Sequence, residues 1–158
     1  GGQMLDGGVH HAAALRMLMG EVEWIQAFLK HGHSDLNGPT TMTMNLRFRS
    51  GALGSYVYSA VCQDNDPAFM RLTIYGSTGT LDLPDKQGLR LIHPDRTVET
   101  IALDNDADTN GYYGEFLNFY TAIREGAPVV ATMEESYKDM ELILRAVDSA
   151  EEARVILL

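Results

Sequence analysis

Cysteine occurs once in the 158 residues, at Cys62, so no disulfide can form within the chain. One thiol fits a reducing compartment, and the cytoplasm is the expected location. Basic residues are also few: 12 Lys and Arg stand against 22 Asp and Glu, a formal charge of -10. Nucleic acid binding draws on clustered Lys and Arg, and here the arginines are scattered, so nucleic acid is not an expected partner. No apolar run approaches the roughly 18 residues of a membrane span, which makes a membrane equally unexpected. Repeats and low-complexity tracts are absent. An initiator methionine is missing too: the chain opens at Gly1, inside what reads as an ordered element, and so reads as a piece of a longer protein. A chain of this length buries roughly two thirds of its unfolded surface, enough for one domain over 1–158 with a real core.

Leu5, Gly8, Ala12, Leu15 and Met19 follow the i, i+3, i+4 spacing of a buried helical stripe, and Gly20 ends it. Seven strands are expected next: EVEWIQAFLK, TTMTMNLRFRS, LGSYVYSAV, FMRLTIY, TLDL, LRLIH and VETIAL. Ser50-Gly51, GSTG and Pro94-Asp95 mark turns between them. Two helices follow. Tyr112, Phe116, Phe119 and Ile123 share a face of the first, which stops at Gly126 before Pro128. The second opens at Thr132 with Glu135 three residues on, a capping-box spacing, and is expected to bury Tyr137, Met140, Leu144 and Val147. The order gives an α+β fold: an open, mostly antiparallel sheet of about six to seven strands with helices on one face.

The other sheet face is expected to be covered by a second copy of the chain. In LGSYVYSAV, Tyr56, Tyr58 and Ala60 fall on one side and Leu53 and Val57 on the other, so neither side is plainly a water face. With no helix left over, a homodimer through strands 40 to 49 and 53 to 61 follows, with Tyr58 as a candidate interface residue.

The stretch LDGGVHH poses the sharpest question, since Gly7 and Gly8 each cost about 1 kcal/mol against alanine inside a helix. If the helix runs through them, Asp6 and His10 share a face one turn apart. An imidazole changes charge near neutral pH and suits reversible proton transfer, and a carboxylate beside it can orient it or bind a hydroxyl. The glycines would then leave backbone bare for a ligand. The alternative is that Asp6 only caps a helix starting at Gly7, with His10 as a packed histidine. His11, about 100° round the helix, reads as structural.

GGQMLDGGVHH resembles the segment GG-x-x-x-D-x-G-x-H that opens the C-terminal domain of the glucose-fructose oxidoreductase and inositol 2-dehydrogenase family (Gfo/Idh/MocA) of NAD(P)-dependent oxidoreductases. Gly1, Gly2, Asp6, Gly8 and His10 fall on its positions. RSGALGSYVYSA is similar to the family's central hairpin, IYGSTGTLDL to the strand-turn-strand after it, and the stretch from Tyr112 to Ile156 to its last two helices. The resemblance implies a C-terminal substrate-binding and dimerising domain of a dehydrogenase acting on a sugar, polyol or similar hydroxyl-bearing metabolite. It implies Asp6 and His10 as catalytic and substrate-binding residues, and Gly7 and Gly8 close to the nicotinamide. The cofactor, NAD or NADP, belongs to an N-terminal domain with a G-x-G-x-x-G turn that this chain lacks, as it lacks the family's Glu-Lys-Pro signature. The chain alone is therefore expected to hold no cofactor tightly and to be inactive. The second reading keeps the fold without chemistry, as a non-catalytic binding or dimerisation module.

Two further patterns read as metal sites only superficially. Asp104, Asp106, Asp108 and Glu115 match positions 1, 3, 5 and 12 of a calcium loop, but Thr109 stands where glycine is needed and a strand precedes. His31-Gly-His33 with Asp6 and His10 could be imagined as a cluster, yet both histidines lie on a polar loop, and no metal is expected.

Overall fold

The computed structural model describes residues 2–33, 35–61, 71–84, 88–102 and 111–158. Helix α1 runs Gly2–Met19 and is followed by strands β1 (Val22–Lys30), β2 (Thr41–Phe48) and β3 (Leu53–Ser59). Strands β4 (Arg71–Gly76), β5 (Gly79–Pro84), β6 (Leu89–Ile92) and β7 (Val98–Ile101) come next. Helices α2 (Tyr112–Glu125) and α3 (Met133–Glu152) and the short strand β8 (Ile156–Leu157) complete the chain. The α+β class and the antiparallel pairing are as expected. The strands form two sheets of four, in the orders β3-β2-β1-β8 and β4-β5-β6-β7, where the sequence suggested one larger sheet. A meander fixes the order of neighbouring strands but not where one sheet stops, and β3 and β4 are both edge strands among the described residues.

The chain divides into two compact units, residues 1–62 with 130–158 and residues 63–129. In the first, α1 and α3 pack on one face of the sheet β3-β2-β1-β8. Alternation along β2 sends Met42, Met44, Leu46 and Phe48 into the core, with Ile25 and Ala27 of β1 beside them. Helix α1 adds Met4 and Ala12, and Gly20 stops it at φ +83°, its N–H donating to the Arg16 carbonyl.

Helix α3 buries Leu142, Ile143, Ala146 and Ser149, not the stripe of larger residues expected; Tyr137 is 59% exposed. The small residues allow close approach to β1, where the buried Ser149 hydroxyl accepts the Ala27 N–H at 3.0 Å and donates to the Arg154 carbonyl. Thr132 caps α3 by accepting the Glu135 N–H, while the Glu135 carboxylate turns to Arg16, 2.6 Å away, so only half of the capping box forms.

The open face of this sheet carries Trp24, Gln26 and Phe28 of β1, Thr43, Asn45 and Arg47 of β2, and Leu53, Ser55 and Val57 of β3, in register. Tyr58 is not on it. Its ring lies under α1, with the core, so the placing of Tyr58 at an exposed interface is corrected: period 2 puts Leu53 and Val57 outward and Tyr56 and Tyr58 inward.

In the second unit, the sheet β4-β5-β6-β7 turns at Ser77-Thr78 between the paired Gly76 and Gly79. Arg71, Thr73, Asp82 and Arg90 meet on one face of it. Asp82 is 1% exposed, enclosed by side chains: the Arg71 guanidinium meets it at 2.9 Å through Nε and Nη2, Thr73 Oγ1 donates at 2.9 Å and Arg90 lies 3.4 Å away. Helix α2 ends at Gly126 as expected, and its face of Phe116, Phe119 and Ile123 is exposed. Cys62 and Asp104, Asp106, Asp108 and Thr109 lie outside the described residues. Glu115 sits in the first turn of α2, and β7 is the element before that segment.

Candidate active site

Helix α1 runs through both glycines, so Asp6 lies in its second turn and is not its cap. Asp6 and His10 stand one turn apart, both exposed, while Met4, Gly8 and Ala12 are buried. Three contacts fix how α1 is rotated. Gly8 meets Ile143 of α3, where an added Cβ would lie 3.2 Å from Cδ1. Gly7 meets Tyr58 of β3, where a Cβ would lie 2.9 Å from the hydroxyl oxygen. His11 Nδ1 lies 2.7 Å from Tyr56 Oη, with Tyr56 and Tyr58 stacked in parallel beneath it.

The glycines are therefore explained by close packing against Tyr58 and Ile143. A side chain at either position would have to displace one of them. The neighbouring side of the helix carries the exposed Asp6 and His10.

At the far end of α1, Arg16 holds the helix to α3 and to the start of β1. Its guanidinium binds Glu21 at 2.9 Å, Glu135 at 2.6 Å and Asp139. The Arg16 hydrogen bonds hold the Glu21 and Glu135 carboxyls below their usual range. Burial and the neighbouring His10 push His11 down, and burial pushes Tyr56 up, so the phenol keeps its proton.

A polar loop, residues 31–33 and 35–39, meets the first residue of α1. Its neck is closed by the buried Thr40, whose hydroxyl accepts the Gly32 N–H at 2.8 Å, and its Asn37 carbonyl packs against Gly2, so closely that a Cβ there would collide with the oxygen. Gly2 is four residues before Asp6, about 6 Å along the helix axis. A groove of about 440 Å³ opens nearby, lined by Met4, Leu5, Leu29, His31, Ile143 and Val147 among others. Asp6 and His10 do not line it, so the candidate site is an open surface of α1. Among the described residues no three His, Cys, Asp or Glu side chains converge as metal ligands. No helix among them is long and apolar enough to cross a membrane.

The one feature with no local signal in the sequence is Tyr56, 45 residues from the His11 it touches. The nearest hint was two tyrosines alternating on β3, opposite a helix with paired histidines.

The fold is similar to that of solved oxidoreductases. An oxidoreductase from Thermotoga maritima shares 28% identity, matching 98% of this chain and 43% of its own with a TM-score of 0.77. The WlbA dehydrogenase from Bordetella pertussis, in complex with NADH and UDP-GlcNAcA, is 18% identical over 96% of this chain and 43% of its own, TM-score 0.73. Aldose-aldose oxidoreductase from Caulobacter crescentus, complexed with glycerol, is 19% identical over 96% and 46%, TM-score 0.76. The chain thus spans less than half the length of these proteins. No curated protein sequence matches it. The family model of the GFO/IDH/MocA C-terminal domain matches residues 1–82, about half of the chain, and it is to this family that the chain belongs.

Proposed function

We propose that this chain is the substrate-side half of an NAD(P)-dependent oxidoreductase acting on a sugar, polyol or related hydroxyl-bearing metabolite. The observation that carries the reading is the pair Asp6 and His10, exposed one turn apart on a helix whose rotation is fixed by Tyr58, Tyr56 and Ile143. His10, as a neutral imidazole, takes the proton of the reacting hydroxyl and returns it in the reverse direction. Asp6 accepts a hydrogen bond from a substrate hydroxyl, and its charge favours the imidazolium when the proton has moved. The 31–39 loop, anchored at the first residue of the same helix, is the element placed to choose among substrates. The ligands named with the Bordetella and Caulobacter proteins, a nucleotide sugar and a polyol, support that substrate class.

The described residues do not fit a dinucleotide. Both sheets are antiparallel, and neither supplies the strand, glycine-rich turn and helix that cradle a pyrophosphate. A nicotinamide cofactor, NAD or NADP, is bound by a separate domain in this reading, and this chain contributes the proton-handling and substrate contacts. The second copy of the chain sits on the open face, where the exposed apolar side chains of Phe28, Leu53 and Val57 favour a homodimer.

The test is a screen of the protein joined to its dinucleotide-binding half, with NAD+ or NADP+ and a panel of aldoses, polyols and sugar acids, followed by nicotinamide absorbance. Reduction of the cofactor by at least one hydroxyl substrate is expected. A folded, cofactor-binding protein that oxidises none of them would favour the non-catalytic module.

A further inference from the structure

The paired histidines are not equivalent. His10 is exposed, while His11 is half-buried against two tyrosines of another element, with its Nδ1 2.7 Å from the Tyr56 hydroxyl. Ring centroids lie 5.6 Å from Tyr56 and 5.7 Å from Tyr58, and the two phenols stack at 6.4 Å. Two histidines in succession on a helix would ordinarily titrate against each other, each charge opposing the next. A base that must change charge alone needs its neighbour kept silent.

We propose that Tyr56 donates its hydroxyl proton to His11 Nδ1, making His11 a positioning residue that stays neutral and leaves His10 as the only imidazole changing charge on this turn of α1. The proposal rests on the reading of His10 as the proton-handling group, and adds what sets its electrostatic surroundings. Nδ1 is then the bare nitrogen and Nε2 carries the proton. Among the described residues, the titratable groups against His11 are Tyr56 and Tyr58 from β3 and His10 from its own helix. Beside Tyr56, β2 presents Met44, and α3 brings Glu135 and Asp139 to Arg16, more than a turn away. Burial and the adjacent His10 both act in the same direction, lowering the affinity of His11 for a second proton. The contact also has a mechanical role: with Gly7 seated on the Tyr58 hydroxyl, it pins α1 at two successive turns over β3, which keeps Asp6 and His10 turned outward.

The experiment reads nitrogen-15 shifts of the histidine rings together with the pH profile of kcat/KM in the full protein. In the unmodified protein, His11 Nδ1 is expected to show the shift of an unprotonated nitrogen at neutral pH; a protonated Nδ1 overturns the proposal without any variant. Tyr56→Phe removes the donor, so the His11 midpoint should rise by about half a pH unit. A charged His11 then makes His10 easier to deprotonate, and the acid limb of kcat/KM moves to lower pH. The pair Tyr56→Phe with His11→Gln should return the limb to its original place, since glutamine carries no charge. An unmoved limb in Tyr56→Phe, or one still displaced in the double variant, overturns the proposal. If His10 proves dispensable for turnover while the nitrogen shifts come out as expected, the active-site reading fails and the His11 assignment stands.

Discussion

In the sheet β3-β2-β1-β8, Ile25, Met42, Leu46 and Phe48 are all buried beneath two helices. In the sheet β4-β5-β6-β7, the one buried side chain among the described residues is the carboxylate of Asp82. Both sheets are antiparallel and four strands wide, and both alternate in sequence. The first turns its alternation into a packed apolar layer. The second, as described, rests on strand pairing and on an Asp82 cluster bound by two arginines and a threonine. The pair teaches that alternation becomes a packed apolar layer where helices cover one side, as α1 and α3 do in the first sheet. It also locates the site, because α1 is both the cover of the first sheet and the carrier of Asp6 and His10.

The comparison breaks most visibly at Phe48, which is 1% exposed, against Leu81, which is 38% exposed. Phe48→Ala is expected to cost about 3–5 kcal/mol and Leu81→Ala less than about 1 kcal/mol, measured by denaturant unfolding. Equal losses would mean that the two sheets are not buried to different degrees. Next come the two sides of β3. Tyr58→Asp places a charge under α1 and should cost on the order of 2 kcal/mol, whereas Val57→Asp, at a residue 73% exposed, should leave the fold intact and split the proposed homodimer in sedimentation. A dimer unchanged by Val57→Asp would remove the open face as its interface.

The smallest effect is on pH. Glu21 and Glu135 are held below their usual range chiefly by Arg16, and Asp82 chiefly by Arg71. Their folded forms bind protons less readily than their unfolded forms, so this stabilisation is complete above the ordinary carboxylate range and fades as pH falls through it. Arg16→Gln should flatten the acid-side fall in Tm attributable to the first unit; an unaltered slope would show that the Arg16 cluster does not contribute to it.

Much of the fold was legible. The i, i+3, i+4 stripe marked α1, the alternation of Met42 to Phe48 marked β2, and Gly20 and Gly126 marked helix ends. Strand β8 was not, because two residues carry no period and are held only by pairing with Trp24 and Ile25. The buried face of α3 lies one step round the helix from the stripe of large residues: it joins Leu142 and Ile143 to Ala146 and Ser149, whose small size carries no hydrophobic signal. At the site, Asp6 and His10 were visible as a spacing, and the structure adds that both are exposed. The role of Gly7 and Gly8 was hidden, since the Tyr58 and Ile143 that require them are distant in sequence. The same distance hid the His11–Tyr56 contact.

The proposed handling of the substrate proton by His10 is tested most directly by turnover of His10→Ala in the protein joined to its dinucleotide-binding half. A fall in kcat of about 10²-fold or more is expected, the scale of a positioned general acid or base, with Tm and cofactor affinity nearly unchanged. Near-normal turnover would contradict that role of His10, whatever the Tm.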